Sequence, residues 1–276
     1  MGPSHHSLMR RSAALVALGL LFGCGSARPP LHGPDILYVA TPAHVGVEML
    51  KVAGVTAVDL VYDLGSGDGR LVIAAARDFG ARGVGVEIDA PLVQESREAA
   101  ARAGVSERAR FLWQDLFTTD ISAATVVTLY LRDDVNLRLR PKLLRELRPG
   151  TRVVSHDFGM GDWQPQRVLR ARGPEREHTI YFWLVPADVG GTWHVTLHHP
   201  TARAARAATL RLRQRLAAFE GELETSEGRI PLSAGRVTGD EIAFTAGNGV
   251  WRGRVSGDTA IGHTDGGVDW TARRPR

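Results

Sequence analysis

The chain is short of several things, and each shortage closes a class of function. It has one cysteine, Cys24, so no intrachain disulfide can form in any compartment. With no cysteine pair, and with histidines that lack ligand spacing, the sequence predicts no metal site. No G-x-S-x-G stretch is present, which removes the nucleophile elbow of a serine hydrolase. Lysine is almost missing: all but Lys51 and Lys142 of the 34 basic side chains are arginine. The net charge is only +4 although the pI is near 9.7. No basic run is interleaved with aromatics, so no nucleic-acid partner is expected. The hydrophobic share of 43% is that of a globular chain, and 276 residues can bury a sizeable core in one or two domains.

No apolar run reaches the length of a membrane-spanning helix, yet a shorter one stands near the N-terminus. Arg10 and Arg11 precede the stretch from Ala13 to Phe22, and Leu21-Phe22-Gly23-Cys24 follows the pattern of a bacterial lipobox. A basic region, about ten apolar residues and a cysteine make an export signal with acylation on the thiol. Residues 1–24 are therefore expected to be a signal and lipobox segment. Cys24 is the expected lipidation site, and the cell envelope the expected location. A cytoplasmic protein is the alternative if the segment is not processed. Residues 25–35, centred on Pro29 and Pro30, read as a linker.

From 36 to 187 short apolar runs alternate with helical segments, which predicts an α/β fold with a mostly parallel sheet. Helices are expected at Pro42–Ala53, Gly69–Phe79, Pro91–Ala103 and Val135–Leu147. Pro141 should kink the last of these or start it afresh. Strands are expected at Leu60–Leu64, Gly83–Ile88, Ala109–Trp113, Ala124–Leu131, Arg152–His156 and His178–Val185. Residues 188–276 change character. Roughly six short alternating runs separated by turn signals predict a small antiparallel β-domain, barrel- or sandwich-like. These are Thr192–Leu197, Ala208–Arg215, Phe219–Thr225, Glu241–Thr245, Val250–Val255 and Val268–Ala272. A helix remains an alternative around Leu210, and Trp193, Trp251 and Trp270 are expected to pack this domain's core.

The chemistry concentrates around Asp63-Leu64-Gly65-Ser66-Gly67-Asp68-Gly69. A strand, a glycine-rich turn and a helix let backbone N–H groups approach a ligand without a Cβ in the way. The spacing is G-x-G-x-G, not that of a dinucleotide fingerprint, which counts against a nicotinamide dehydrogenase. Glu87, at the end of the next strand, can accept ribose hydroxyls. Gln114 and Asp115 follow the third strand, and Tyr130 stands at the exit of the fourth. In such sheets ligands lie outside the carboxyl ends of the strands, where all of these should meet.

The span from about 36 to 186 resembles a Rossmann-like, seven-strand class I S-adenosylmethionine-dependent methyltransferase. Asp63-Leu64-Gly65-Ser66-Gly67-Asp68-Gly69-Arg70, with Tyr38-Val39-Ala40-Thr41-Pro42 upstream, is similar to the seven-strand protein lysine methyltransferases, a group that includes the ATP synthase c-subunit enzyme. The resemblance implies S-adenosyl-L-methionine as cofactor and a protein lysine as acceptor. It implies that Asp63, Gly65 and Gly67 face the methionine part, that Glu87 holds the ribose and that Asp115 sits by the adenine amino group. Tyr38 and Thr41 would close the carboxylate side. Ala40 stands where the group often has proline.

Several residues carry two readings. Asp68 either caps the following helix or meets the ligand, as Ser66, Gly69 and Gln114 do in the cofactor reading. Tyr130 either packs its strand or touches substrate. His156, followed by Asp157, either orients a substrate amine or acts as a catalytic base, or else is a hydrogen-bonded structural histidine. Trp163 and Trp183 are expected in the core, and the arginines from Arg138 to Arg148 on a solvated helix face. Leu129-Tyr130-Leu131 stands where enzymes acting on planar amino groups of bases carry N-P-P-Y, so the acceptor is expected to be a protein or a small molecule. The competing expectation is an envelope-anchored lipoprotein that binds the nucleoside cofactor without catalysis.

Overall fold

The computed structural model describes residues 39–173, 176–201 and 204–275. The signal and lipobox segment with Cys24, the linker and Tyr38 lie outside these residues. The N-terminal half is built by apolar runs that need cover on both faces. Helix α1 (Ala43–Val52) begins straight after Pro42 and buries Val45, Met49 and Leu50. Strand β1 (Leu60–Leu64) leads into helix α2 (Arg70–Asp78), strand β2 (Arg82–Glu87) and helix α3 (Ala90–Arg102). Asp89 caps α3 through the Leu92 N–H, and Pro91 occupies the first turn, where a missing N–H costs nothing. Strand β3 (Ala109–Trp113), strand β4 (Val126–Leu129), helix α4 (Asp133–Glu146) and strand β5 (Arg152–His156) follow. Strand β6 (Arg167–Arg172) and strand β7 (Glu177–Leu184) complete the sheet.

The seven strands lie in the order β3-β2-β1-β4-β5-β7-β6. All neighbours from β3 to β5 are parallel, and β7 runs antiparallel to both β5 and β6. Every residue of β4 is buried because helices cover both faces of the sheet. Val45, Met49 and Leu50 of α1 pack with Val61, Val126 and Val154 on one face. Leu139 and Leu143 of α4 pack with Val127, Leu129, Val153 and Trp183 on the other. The strand order reverses between β1 and β4, so a crevice opens at their carboxyl ends, the usual ligand position in this architecture.

The second half is a closed barrel of eight antiparallel strands, ordered β10-β11-β12-β13-β14-β15-β8-β9. These are β8 (Gly191–His198), β9 (Arg206–Arg215), β10 (Ala218–Thr225), β11 (Gly228–Thr238), β12 (Glu241–Ala246), β13 (Gly249–Ser256), β14 (Thr259–Thr264) and β15 (Asp269–Arg273). Trp193, Trp251 and Trp270 are in its core. Trp270 lies so close to Gly253 and Gly262 that a Cβ at either would come within about 2.5 Å of its ring. A Cβ at either would also strike a carbonyl of the neighbouring strand, that of Ile261 at 2.4 Å for Gly253 and that of Arg252 at 2.0 Å for Gly262. The barrel abuts the sheet domain through Arg215, which pairs with Asp162, and the Ala187 N–H of the barrel's core cluster donates to the Gly239 carbonyl at 2.7 Å.

Three expectations need correction. Strand β6 was not expected, because Arg167–Arg172 is largely exposed at the sheet edge and shows little apolar alternation. Strands β11 and β14 raise the barrel from six strands to eight. β11 contains Pro231 and a register shift near Ala234, which has a positive φ of 54°, and β14 is polar, so neither looks like a strand locally. Around Leu210 the expected strand is present rather than the alternative helix, with Leu210 and Leu212 inside the barrel. Finally, α4 is one helix that runs through Pro141. Among the described residues no helix is long and apolar enough to cross a membrane.

Candidate active site

A cavity of about 480 Å³ occupies the crevice at the carboxyl ends of β1 to β5. That volume is within the range of small-molecule sites. The glycine turn after β1 shapes it. Gly65 has φ of +79°, and a Cβ there would come within 2.9 Å of Leu131. Gly67 donates its N–H to Glu87 Oε2 at 2.8 Å and accepts Ser96 Oγ at 3.0 Å on its carbonyl. Gly69 also has a positive φ, and its Cα faces the Phe111 ring so closely that a Cβ would reach 2.5 Å. Gly67 and Gly69 therefore set the course of the loop from behind the cavity wall, whereas Gly65 lines it.

Glu87 is buried at the tip of β2 and lines the cavity. Its Oε1 accepts the Ile88 and Asp89 N–H groups at 2.8 and 3.0 Å, and its Oε2 accepts Gly67. A carboxylate has about four acceptor positions, so about one is left, on Oε2. The expectation of two free positions for a ribose is thus narrowed: a second hydroxyl competes with a backbone N–H.

Asp63 is buried on β1, and Thr128 Oγ1 donates to its Oδ1 at 2.7 Å. Burial pushes its carboxyl up to about 7, the Thr128 hydrogen bond opposes this, and the nearby Glu87 and Asp68 charges push it further. Among the described residues no cation pairs with it. Asp68 lines the cavity and holds the Arg70 guanidinium at 2.5 Å and the Arg70 N–H at 3.2 Å, so it both braces the start of α2 and faces the ligand space. Asp115 turns its Oδ1 to the Phe117 N–H at 2.8 Å, fixing the turn after β3, and with Gln114 lines the cavity.

Thr41, Ser66 and Tyr130 also line it. Read across the sheet from β3 to β5, the strand exits present Asp115, Glu87, Gly65, Tyr130 and Phe158 in that order. The acids lie on the β1 to β3 side, where Phe117, Leu116 and Ile88 also line the cavity. Among the described residues no acid lines the β4 to β5 side, which is formed by Tyr130, Phe158, Leu131 and Val135 with Arg132. Sequence reasoning missed Phe158, whose ring lies 5.9 Å from that of Tyr130, and Thr128, which holds Asp63. Phe158 follows the β5 tip directly, and that position was the available signal.

His156 does not line the cavity. It is fully buried under Tyr130, with ring centroids 3.9 Å apart. Its Nδ1 contacts Thr41 Oγ1 at 3.1 Å and its Nε2 contacts His178 Nδ1 at 2.9 Å. Burial pushes its pKa down to about 4 against the pull of Asp157, so the ring is neutral at pH 7. Asp157 sits at φ 59° and is held by Arg176 and by the Thr179 N–H. These partners, with burial opposing, keep its carboxyl below the usual range. Desolvation raises the Tyr130 phenol. Trp163 and Trp183 are fully buried core residues, joined by the Trp183 Nε1 bond to the Trp163 carbonyl at 2.7 Å. The arginines of α4 do more than face solvent. Arg140 donates to the Met160 carbonyl, and Arg138 lies 4.4 Å over the Phe117 ring.

S-adenosylmethionine suits this donor set. It brings a sulfonium and an ammonium against one carboxylate, and the cavity offers a buried acid, Asp63, with no cation beside it among the described residues, and an acceptor position on Glu87.

A family model described as the ANTKMT methyltransferase domain matches residues 63–167. The chain is 44% identical over 153 residues to a protein-lysine N-methyltransferase of Saccharolobus islandicus, spanning 55% of this chain and 95% of that protein. It is 41% identical over 108 residues to the human lysine N-methyltransferase of the ATP synthase c-subunit, and there it spans 39% of this chain and 46% of the relative, about half its length. Among solved structures, an RNA methyltransferase from Salinibacter ruber in complex with S-adenosyl-L-homocysteine is 53% identical. It superposes with a TM-score of 0.53 over 55% of this chain and 96% of that one.

Proposed function

The chain belongs to the protein-lysine N-methyltransferase family of S-adenosylmethionine-dependent enzymes, and from that premise we propose that its acceptor is the ε-amine of a lysine on a protein. The observation that carries the reading is the division of the cavity. Its acidic end on β1 to β3 suits a cationic nucleoside, and its aromatic end on β4 and β5 suits an alkyl ammonium stem entering from the other side.

S-adenosylmethionine supplies a methyl group already activated on a sulfonium. The protein's own residues do the rest. Asp63 faces the cationic methionine part, Glu87 accepts a ribose hydroxyl, and Gln114 and Asp115 border the base. Tyr130 and Phe158, with Leu131 and Val135, line up the acceptor amine. By excluding water they favour its neutral, nucleophilic form. Positioning of this kind can supply several kcal/mol (about 7 to 11 in the best-aligned systems) without an acid or base side chain in the reaction path.

Incubation of the purified chain with tritiated cofactor and a cell lysate tests the reading. Tritium in a protein band that survives ribonuclease, and mass spectra placing the methyl on lysine, are expected. Label confined to RNA would favour the activity named for the Salinibacter ruber relative and overturn the lysine proposal.

We also propose that Cys24 carries a lipid that holds the enzyme at the cell envelope, on the strength of the basic, apolar and cysteine pattern at residues 10–24. Incorporation of labelled palmitate that disappears in Cys24→Ser supports this. A fully soluble, unlabelled wild-type protein overturns it.

A further inference from the structure

Beneath the acceptor end of the cavity, three side chains from two strands converge on one point. They are His156 and Asp157 at the end of β5 and His178 on β7. His156 Nε2 stands 2.9 Å from His178 Nδ1 and 3.2 Å from Asp157 Oδ2, and His178 Nδ1 stands 3.7 Å from the same Oδ2. We infer that these three atoms are a binding site for one divalent first-row transition-metal ion of the zinc or cobalt class.

The spacing of the three atoms fits an ion. A tetrahedral ion with bonds of about 2.0–2.1 Å holds its donors about 3.3–3.4 Å apart. The three separations here average about 3.3 Å. Two imidazoles and a carboxylate are also the donor types that such ions take, with a fourth position left for water.

The surrounding contacts act as supports for the ligands. Thr41 Oγ1 lies 3.1 Å from His156 Nδ1, so it can take that ring N–H and leave the Nε2 lone pair facing the cluster. The Thr179 N–H holds Asp157 Oδ1 at 2.8 Å and leaves Oδ2 turned toward both histidines. On binding, bonds form from His156 Nε2, His178 Nδ1 and Asp157 Oδ2 to the ion. With the His156 Nδ1–H on Thr41, the ring proton of neutral His178 stands on Nδ1 and moves to Nε2 when Nδ1 takes the ion. Exposed His44, whose ring centroid is 6.0 Å from that of buried His178, marks the solvent side from which an ion enters.

Arg176 opposes the ion, because its guanidinium already holds Asp157 Oδ2 at 2.5 Å. Without an ion this bond and the His156–His178 contact keep the cluster together, so the fold does not require the metal. Weaker affinity than that of a structural zinc site follows. The sequence hides the cluster because residues 156 and 178 meet only through the antiparallel pairing of β5 with β7.

The test is cobalt titration of the whole chain after chelator treatment, in a background carrying His5→Ala and His6→Ala. One ion per chain is expected, with the strong visible bands of tetrahedral cobalt, displaced by zinc. His178→Ala should weaken uptake more than about 100-fold, while His198→Ala with His199→Ala leaves it unchanged. X-ray absorption of the zinc-loaded parent protein avoids reliance on any ligand variant, and should show two imidazoles and oxygen around the metal. Absence of stoichiometric uptake, uptake unaltered in folded His178→Ala, or a zinc shell without imidazole would overturn the assignment.

Discussion

Glu87 Oε2 accepts the Gly67 N–H at 2.8 Å, so the acid at the tip of β2 holds the glycine turn that follows β1. One carboxylate thereby does two things: it shapes the loop, and it presents an acceptor to the cavity. Its Oε1 is taken by the Ile88 and Asp89 N–H groups, which fixes its rotamer.

Glu87→Gln is nearly isosteric, but it loses the charge and turns a donor NH2 toward either the Gly67 N–H or the Ile88 and Asp89 N–H groups. A hydrogen bond to a charged group contributes about 1.5–3 kcal/mol, so affinity for S-adenosylmethionine should fall about 10- to 100-fold in calorimetry. An unchanged dissociation constant would count against a ligand role for Glu87.

Asp63 makes stability and cofactor affinity depend on pH in opposite directions. Its carboxyl titrates near 3.8 when unfolded and about 7 when buried. Between those values the folded chain binds more protons, so this group's contribution falls as pH rises through the window, by up to about 1.4 kcal/mol per pH unit, and levels off above about 7. A cationic cofactor beside Asp63 favours the ionised form, so affinity should rise over pH 6 to 8. Urea midpoints and cofactor binding measured across pH, with Asp63→Asn flattening both slopes, check this.

Tyr130→Ala removes an aromatic wall from the acceptor end while leaving the acidic end intact. Turnover with a lysine acceptor should drop at least about tenfold, and cofactor affinity should stay within about threefold of the parent. Tyr130→Phe keeps the stacking on His156, which lies 3.9 Å away, and should restore most of the rate. Equal losses in cofactor binding and turnover would place Tyr130 in the cofactor pocket instead.

Trp270 is 1% exposed and packs over Gly253 and Gly262 in the barrel. Trp270→Ala should lower the barrel's stability by about 3–5 kcal/mol, read from the denaturation midpoint. Gly262→Val, whose Cβ would meet the Arg252 carbonyl at about 2.0 Å, should be at least as disruptive. Cofactor binding measured at low temperature reports whether the sheet domain survives.

Much was legible from short stretches. The alternation of apolar runs, the glycine turn and the caps are local. They depend on which backbone angles a few neighbouring residues tolerate, and the sequence states those directly. Asp63, Glu87, Asp115 and Tyr130 could be found because parallel α/β topology brings strand exits together. Pro141 and the polar strand β14 were misleading for the converse reason: packing and barrel closure overrode weak local preference.

What the amino-acid order alone determined, then, was the α/β class, the strand-end acids and the family resemblance, all of which rest on near neighbours or on fixed topology. Only the tertiary structure decided that His156 lies under Tyr130 and beside His178, that Asp63 holds its proton near neutrality, and that eight strands close into a barrel. Those outcomes depend on desolvation and on contacts between residues far apart in the chain, and no local pattern encodes them.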